Sequence, residues 1–399
     1  GGETLKRIVQ KRQRKDESSW RCWFEVVENT PIKIDLDGPN IKVIYRGGYL
    51  CSMSKAPLYP SADEVTIFWN ENQRVPAFRL RLKRPSSAHL SCLIDQWEVR
   101  LEMSDRFGAL LKMPGYLFPG RAKLQQASSS ATALWKATQL RLLFPDSNKM
   151  WDVTGGSGID TWGFEQVGMH CWVTEPNQDL AALHRHNAGI LGTDRQVIEC
   201  TAEAYQPPHA FDLIYADPSR MDLHGQRVYH PADCHPNPLT ELDHWLSFAP
   251  WILLKLSPMV DPDAALKWFP TCHQLWTLSM KREVKEVLLL IGRKKPATEV
   301  QRHAVDVHPD GSENYHFILD QSVSASSLGE PKTYLYDPDA ALVAARALPS
   351  LAVRFALTPL HPEARLLTSD VLVTDFPGRI FQVVALHPPF QGEWPQGAS

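Results

Sequence analysis

The chain lacks what several function classes require. Its longest apolar runs, such as Trp251–Leu254 and Val287–Ile291, fall far short of the ~20 residues that a membrane span needs. No apolar stretch follows the basic N-terminus, so no secretory signal is legible and the expected partners exclude a membrane. The seven cysteines (22, 51, 92, 171, 200, 234 and 272) are odd in number, scattered and without a CxxC pair. That argues against a disulfide framework and a zinc ribbon, and for a reducing, cytoplasmic setting with no metal. Charge of one sign is lacking too. With 42 Lys/Arg against 45 Asp/Glu, the formal net charge is −3, so contact with nucleic acid has to come from local patches. No repeat or low-complexity tract occurs. What the 399 residues do contain is 43% hydrophobic and 22% charged, enough for real cores in two to four domains of ~100–200 residues.

Residues 1–22 carry seven Lys/Arg against three acids, a solvated arm or a nucleic-acid contact. Residues 1–110 read as a β-rich region of unknown role. Ile32-Lys-Ile-Asp-Leu and Ile41-Lys-Val-Ile-Tyr alternate around Asp37-Gly38, and Val65-Thr-Ile-Phe-Trp and Phe78-Arg-Leu-Arg-Leu alternate as well. The stretch 89–113 is more helical. From Met150 strands alternate with helices, which predicts a doubly wound parallel α/β sheet over 111–257. Four further strands are expected within 258–322 and a small α+β module within 330–399.

Ligands of a doubly wound sheet bind beyond the carboxyl ends of its strands, and five such ends carry chemistry. The first is Asp152-Val-Thr-Gly155-Gly156-Ser-Gly158-Ile-Asp160. Glycines here let the backbone approach a ligand. A dinucleotide fingerprint would need a third glycine where Thr161 stands. The leading acid, Asp152, instead suits a cationic ligand end such as the amino-acid part of S-adenosylmethionine. Glu175, 23 residues later, is placed to accept ribose hydroxyls. Thr201 ends the third strand, where an adenine is held. Asp217-Pro218-Ser219-Arg220 ends the fourth: the carboxylate can orient a substrate amine, and Arg220 can stack on a base or bind phosphate. Lys255 and Ser257 end the fifth, where Lys255 either pairs with a carboxylate or meets substrate phosphate. His184 and His186 are two apart on a helix and share no face, so they suggest no metal pair.

Taken together with Gln125-Gln-Ala-Ser128-Ser129-Ser130-Ala-Thr132-Ala-Leu-Trp-Lys136, these motifs resemble class I S-adenosylmethionine-dependent methyltransferases that carry a C-terminal THUMP-like domain. Further matches are Lys255-Leu-Ser-Pro-Met259 with Asp261, Glu283-Val-Lys-Glu286, and Tyr334-Leu-Tyr-Asp-Pro338 with Asp375-Phe-Pro-Gly-Arg379. More distantly the chain is similar to trimethylguanosine synthase. The resemblance covers roughly 112–390. It implies a Rossmann-like catalytic domain, a ferredoxin-like segment at 258–322 and a THUMP-like domain at 330–399. It also implies that the helix 125–136, with Ser129 and Thr132, lies over the cofactor; that Asp152, Gly155, Gly156, Gly158, Glu175 and Thr201 line it; and that Asp217–Arg220 face the substrate. RNA, as tRNA or rRNA, is the implied partner. Ser219 and Arg220 stand where base amino-methyltransferases usually carry Pro and an aromatic residue. Two alternatives therefore stay open: a catalytically silent RNA-binding protein on this fold, and a small-molecule methyltransferase.

Overall fold

The computed structural model describes residues 32–35, 41–45, 50–53, 59–82, 88–113, 115–220, 229–323, 327–361 and 364–386. The basic stretch 1–22 and Asp37-Gly38 lie outside the described residues. The chain divides into two units, 1–58 and 59–399. In the first, β1 (Ile32–Asp35), β2 (Ile41–Tyr45) and β3 (Leu50–Met53) form an antiparallel sheet in that order.

The second unit opens with helices: α1 (Ala62–Asn72) and α2 (Ala77–Leu82) where strands were expected, α3 (Ala88–Glu102) and α4 (Ser104–Leu111) over the stretch read as helical, and the single turn α5 (Arg121–Leu124). The β-rich reading of 1–110 thus fails beyond residue 58. Local chemistry explains the correction. Ser61 and Glu64 make a reciprocal capping box at the start of α1. The apolar residues then fall at helical spacing, Val65 buried with Phe68 and Trp69 half-buried, while Ile67, which an alternating strand would bury, is exposed.

Helix α6 (Ser130–Leu143) leads into the main sheet, built from β4 (Lys149–Asp152), α7 (Ile159–Gln166), β5 (His170–Thr174), α8 (Gln178–Leu191), β6 (Gln196–Ile198), β7 (Leu213–Ala216), α9 (Pro238–Phe248), β8 (Trp251–Leu256), α10 (Pro262–Trp268), β9 (Cys272–Met280), β10 (Glu283–Gly292), β11 (Gln301–Val307) and β12 (Glu313–Ile318). Nine strands lie in the order β12-β11-β9-β10-β8-β7-β4-β5-β6. From β6 to β8 the pairs are parallel, and β10 runs antiparallel between β8 and β9. Alternate residues of one strand enter opposite cores. Ile252 and Leu254 pack with Trp245 and Phe269 on one face, and Leu253 packs with Trp135 and Leu140 on the other. Helices cover both faces, which is why these strands read as continuous apolar runs.

The strands expected as a separate ferredoxin-like segment at 258–322 are β9–β12, and they extend this same sheet. Their apolar residues, among them Leu278, Leu288 and Val305, share a core with β4 and β7, so no separate sheet is needed to bury them. The C-terminal module consists of β13 (Tyr334–Pro338), α11 (Ala340–Ala344), α12 (Leu348–Arg354), β14 (Thr358–Pro359), β15 (Leu367–Ser369) and β16 (Gly378–Gln382), whose core also takes in Ala304 of β11 and Phe317 of β12. Its buried Asp337 is surrounded by Arg282, Arg365 and Arg379 at 3.3, 2.9 and 2.6 Å. Among the described residues no helix is long and apolar enough to cross a membrane.

Removing the α1 cap tests the helical correction. Ser61→Ala should cost ~0.5–2 kcal/mol of stability, read as a lowered midpoint in urea; an unchanged midpoint would mean that α1 does not depend on its cap.

Candidate active site

The strand order turns round at β4. The chain proceeds from β4 outward to β5 and β6, then returns to β7 and β8 on the other side. A crevice opens at such a reversal, beyond the strand ends. Here the loops after β4 and β7 bound a cleft of ≈ 390 Å³ whose walls include Asp152, Gly155, Gly156, Asp160 and the whole of Asp217–Arg220. Lys123, Gln126 and Ala127 close it from the segment before α6.

The glycine turn is held by its own bonds. Gly156 and Gly158 have φ of +51° and +76°, conformations that favour glycine. Glu175 accepts from the Gly156 N–H with one oxygen and from the Asn177 N–H with the other, both at 2.8 Å. Burial raises its pKa above the ordinary glutamate value, opposed by those two bonds. Thr154 ties the turn to the other wall, since its hydroxyl accepts from the Asp217 N–H at 2.7 Å.

Asp152 is 1% exposed. It accepts from the Thr161 hydroxyl at 2.6 Å and the Thr154 N–H at 3.0 Å. Both donors are neutral, and no ion-pair partner of Asp152 occurs among the described residues. Burial pushes its pKa up to about 7 against those bonds. The other carboxylates belong to a buried chain of ions. Lys136, on α6, lies 2.9 Å from Asp160 and from Glu286 of β10, and donates to the Ser128 hydroxyl. Ser128 and the Tyr215 hydroxyl both donate to Asp160. Burial alone would lower the Lys136 pKa, but Asp160 and then Glu286 raise it above the ordinary lysine value. Burial likewise opposes ionisation of Asp160, and Lys136 and Lys255 outweigh it and lower its pKa. Lys255 lies 3.9 Å from Glu286 and donates to Asp217 at 2.6 Å.

The structure therefore brings Asp152, Gly155, Gly156 and Asp217–Arg220 together around one cleft. Gly158, Glu175, Lys255 and Ser257 support its walls from behind. Lys255 holds Asp217, and Ser257 accepts from Arg220 at 3.2 Å, so both groups are engaged by the motif itself. Ser129 and Thr132 do not line the cleft: the Ser129 hydroxyl caps α6 by accepting from the Thr132 N–H. Thr201 is exposed and also lies off the lining. Sequence reasoning passed over Lys136, Asp160 and Glu286 as site residues. A signal was present, because Lys136 interrupts the apolar face of α6 and Glu286 begins an otherwise apolar strand core. Among the described residues no group of three or more His, Cys, Asp or Glu is placed to hold a metal ion.

A family model described as a ferredoxin-like domain matches residues 334–377, within the C-terminal module rather than at 258–322. Two curated relatives, both named uncharacterized S-adenosylmethionine-dependent methyltransferases, come from two strains of Mycobacterium tuberculosis. Each is 22% identical over 293 residues, which covers 70% of this chain and 74% of the relative. A crystal structure of a candidate methyltransferase from Porphyromonas gingivalis W83 superposes with a TM-score of 0.68 at 26% identity, covering 82% of this chain and 83% of that one. Fold and relatives agree. This is an S-adenosylmethionine-dependent methyltransferase. The cleft suits that cofactor: the buried carboxylate of Asp152 in its wall has no ion-pair partner among the described residues, although Lys123 and Arg220 line the same cleft, and S-adenosylmethionine brings a cationic end.

The ion chain makes Lys136 a stability determinant. Lys136→Met should lose about 3–5 kcal/mol, because it strands the carboxylates of Asp160 and Glu286 in the interior. Urea denaturation reads this directly, and a loss below ~1 kcal/mol would show that the buried pair is not coupled in the folded protein.

Proposed function

We propose that the chain methylates an amine of an RNA base, with S-adenosylmethionine held at the Gly155–Gly158 turn. The observation that carries the reading is the placement of Asp217 in the same cleft as the unpaired Asp152. One carboxylate takes the cofactor's ammonium, and the other meets the substrate. When bound, the cofactor supplies an electrophilic methyl group. The protein's share is then mostly alignment. Lys255 fixes Asp217 so that its free lone pairs accept from the substrate N–H and aim the nitrogen lone pair along the cleft. The Asp217 side chain keeps 24% exposure, enough to be reached.

Glu175 uses two of its roughly four lone-pair sites on Gly156 and Asn177, which leaves acceptors for ribose hydroxyls. Ser129 and Thr132 serve by starting the helix that carries Lys136. Arg220 contributes substrate binding, by stacking or by contact with phosphate. The RNA assignment draws on the resemblance to THUMP-like enzymes and to trimethylguanosine synthase. It draws further on Arg365 and Arg379 of the module at 330–399, which stand partly exposed beside Asp337 and could meet phosphate. Residues 111–257 are taken as the catalytic part.

The test is transfer of labelled methyl from S-adenosylmethionine to total RNA, followed by nucleoside mass spectrometry. A methylated base amine is expected. Label appearing only in small metabolites would select the small-molecule alternative, and no transfer despite cofactor binding would select the silent one. Asp217→Ala should abolish transfer, a loss of ~100-fold or more, while cofactor affinity by calorimetry stays near the parent value. Transfer at the parent rate in a folded variant would remove Asp217 from the chemistry.

Asp152 gives a second, pH-dependent test. Its folded pKa of about 7 lies above the ordinary aspartate value, so burial of the ionised form costs stability. That loss accrues as pH rises from the ordinary value towards about 7 and levels off above it. A cationic cofactor end favours the ionised form. Cofactor affinity should therefore rise between about pH 5.5 and 7.5, and Asp152→Asn should flatten the rise and weaken binding at the upper end. A flat profile in the parent would separate Asp152 from the ammonium.

A further inference from the structure

Beneath the glycine turn lies a second buried chain of groups, His184, Arg195 and Glu165, none of which is among the residues lining the cleft. His184 of α8 is 2% exposed. Its Nδ1 lies 3.1 Å from Arg195 Nη1. Arg195 is in turn gripped by Glu165, from Nε at 2.8 Å and from Nη2 at 2.6 Å. A guanidinium can only donate, so Nδ1 of His184 accepts and the ring proton sits on Nε2. That Nε2 is buried and has no hydrogen-bond partner in strict geometry. The ring lies flush against the turn. A Cβ at Gly155 would come within 3.0 Å of His184 Nε2, and a Cβ at Gly158 within 2.9 Å of His184 Cε1. The imidazole thus bears on both glycines, at Gly155 together with Val173, whose Cγ1 would lie 2.5 Å from the added Cβ.

We propose that His184 is a positioning residue for the cofactor: a neutral imidazole, fixed by Glu165 through Arg195, that sets the height and tilt of the Gly155–Gly158 turn. The inference rests on the reading that this turn holds S-adenosylmethionine, and it adds to it the element that fixes the turn's shape. Charge explains why the floor is an imidazole backed by an ion pair. The cofactor carries a sulfonium and an ammonium, so a cationic floor would repel it. Arg195 is neutralised by Glu165. Burial, and then Arg195, lower the His184 pKa to about 3, while the backbone of Gly155 and Gly156 resists that lowering; the ring stays uncharged throughout the working range. With one nitrogen held by Arg195 and the ring edge against the two glycines, the imidazole is fixed in place.

The test compares S-adenosylmethionine binding by calorimetry in the parent, His184→Leu, His184→Gln and Glu165→Gln proteins, each checked for folding by its thermal midpoint. His184→Leu should weaken binding ~10-fold, since the turn loses its preorganised support. His184→Gln offers a neutral acceptor and donor again and should restore affinity to within ~3-fold of the parent. Parent-like affinity in the Leu variant overturns the proposal, and so does an equal loss in the Leu and Gln variants. Should His184→Leu fail to fold, Glu165→Gln decides. It loosens Arg195 from the far side of the ring and leaves the turn untouched, so a several-fold loss is expected and no loss overturns the proposal. Glu175→Ala serves as the reference, with an expected loss of affinity of roughly 10–150-fold. Parent-like binding there would show that the cofactor sits elsewhere, a different failure from that of His184.

Discussion

One buried ammonium holds the site together. Lys136 has three protons and three partners, Asp160, Glu286 and Ser128, and they come from α7, β10 and the segment before α6. Each partner carries the order onward. Asp160 collects Ser128 and Tyr215, Glu286 faces Lys255, and Lys255 grips Asp217. The signs alternate along the chain from Asp160 to Asp217, so every ion has an opposite neighbour on each side it faces. In a low-dielectric interior this is the arrangement in which charges are tolerated at all. It also means that the two walls of the cleft are not independent. The floor of the glycine turn and the tip of β7 are joined through α6 and β10.

Against that balanced chain, Asp152 stands out. Its donors are a hydroxyl and an amide, and its neighbours in the ion chain are already matched. The cleft lining thus keeps a buried carboxylate with no ion-pair partner among the described residues, and Glu175, behind the glycine turn, likewise accepts only from neutral N–H groups. A ligand with a cationic end completes the charge balance, and an anionic pyrophosphate would worsen it. Thr161, which stands where a dinucleotide fingerprint has its third glycine, uses its hydroxyl to steady Asp152.

How much of this was legible beforehand depends on range. Strand ends with Gly, Glu and Asp-Pro announced the cleft, because a parallel sheet gathers its ends at one edge and local sequence marks each end. The helical start of the second unit was misread, since Val65-Thr-Ile-Phe-Trp fits both alternation and a helix, and only the Ser61–Glu64 cap decides between them. The place of β9–β12 could not be read at all. Nothing local tells a strand whether to found a new sheet or extend an old one; the shared burial of Leu278 and Val305 with Met150 and Leu213 settles it. Lys136 and Glu286 are 150 residues apart, and their meeting depends on β10 entering antiparallel beside β8. Ser129 and Thr132 were misassigned for the opposite reason. Their chemistry is local, a helix cap, and needs no ligand to explain it.

The unusual Ser219-Arg220 pair can be weighed by the same standard. Parallel pairing sets Ala216 of β7 against Leu254 of β8, so one step further Asp217 meets Lys255, and Arg220 reaches Ser257 beyond it. Ser219 is fixed as well, through two backbone hydrogen bonds with His235. Each position of the motif therefore has its own support, and the supports include a buried lysine. An ion pair of this kind is no more stabilising than apolar residues of similar size. Stability alone gives no reason to hold Asp217 partly exposed at the mouth of a cleft. Under the proposed function, a carboxylate held in place and reachable would serve to align a substrate amine. Arg220 would then grip the substrate with a guanidinium, which offers both a flat face and a charge, while the orienting group beside it stays in place.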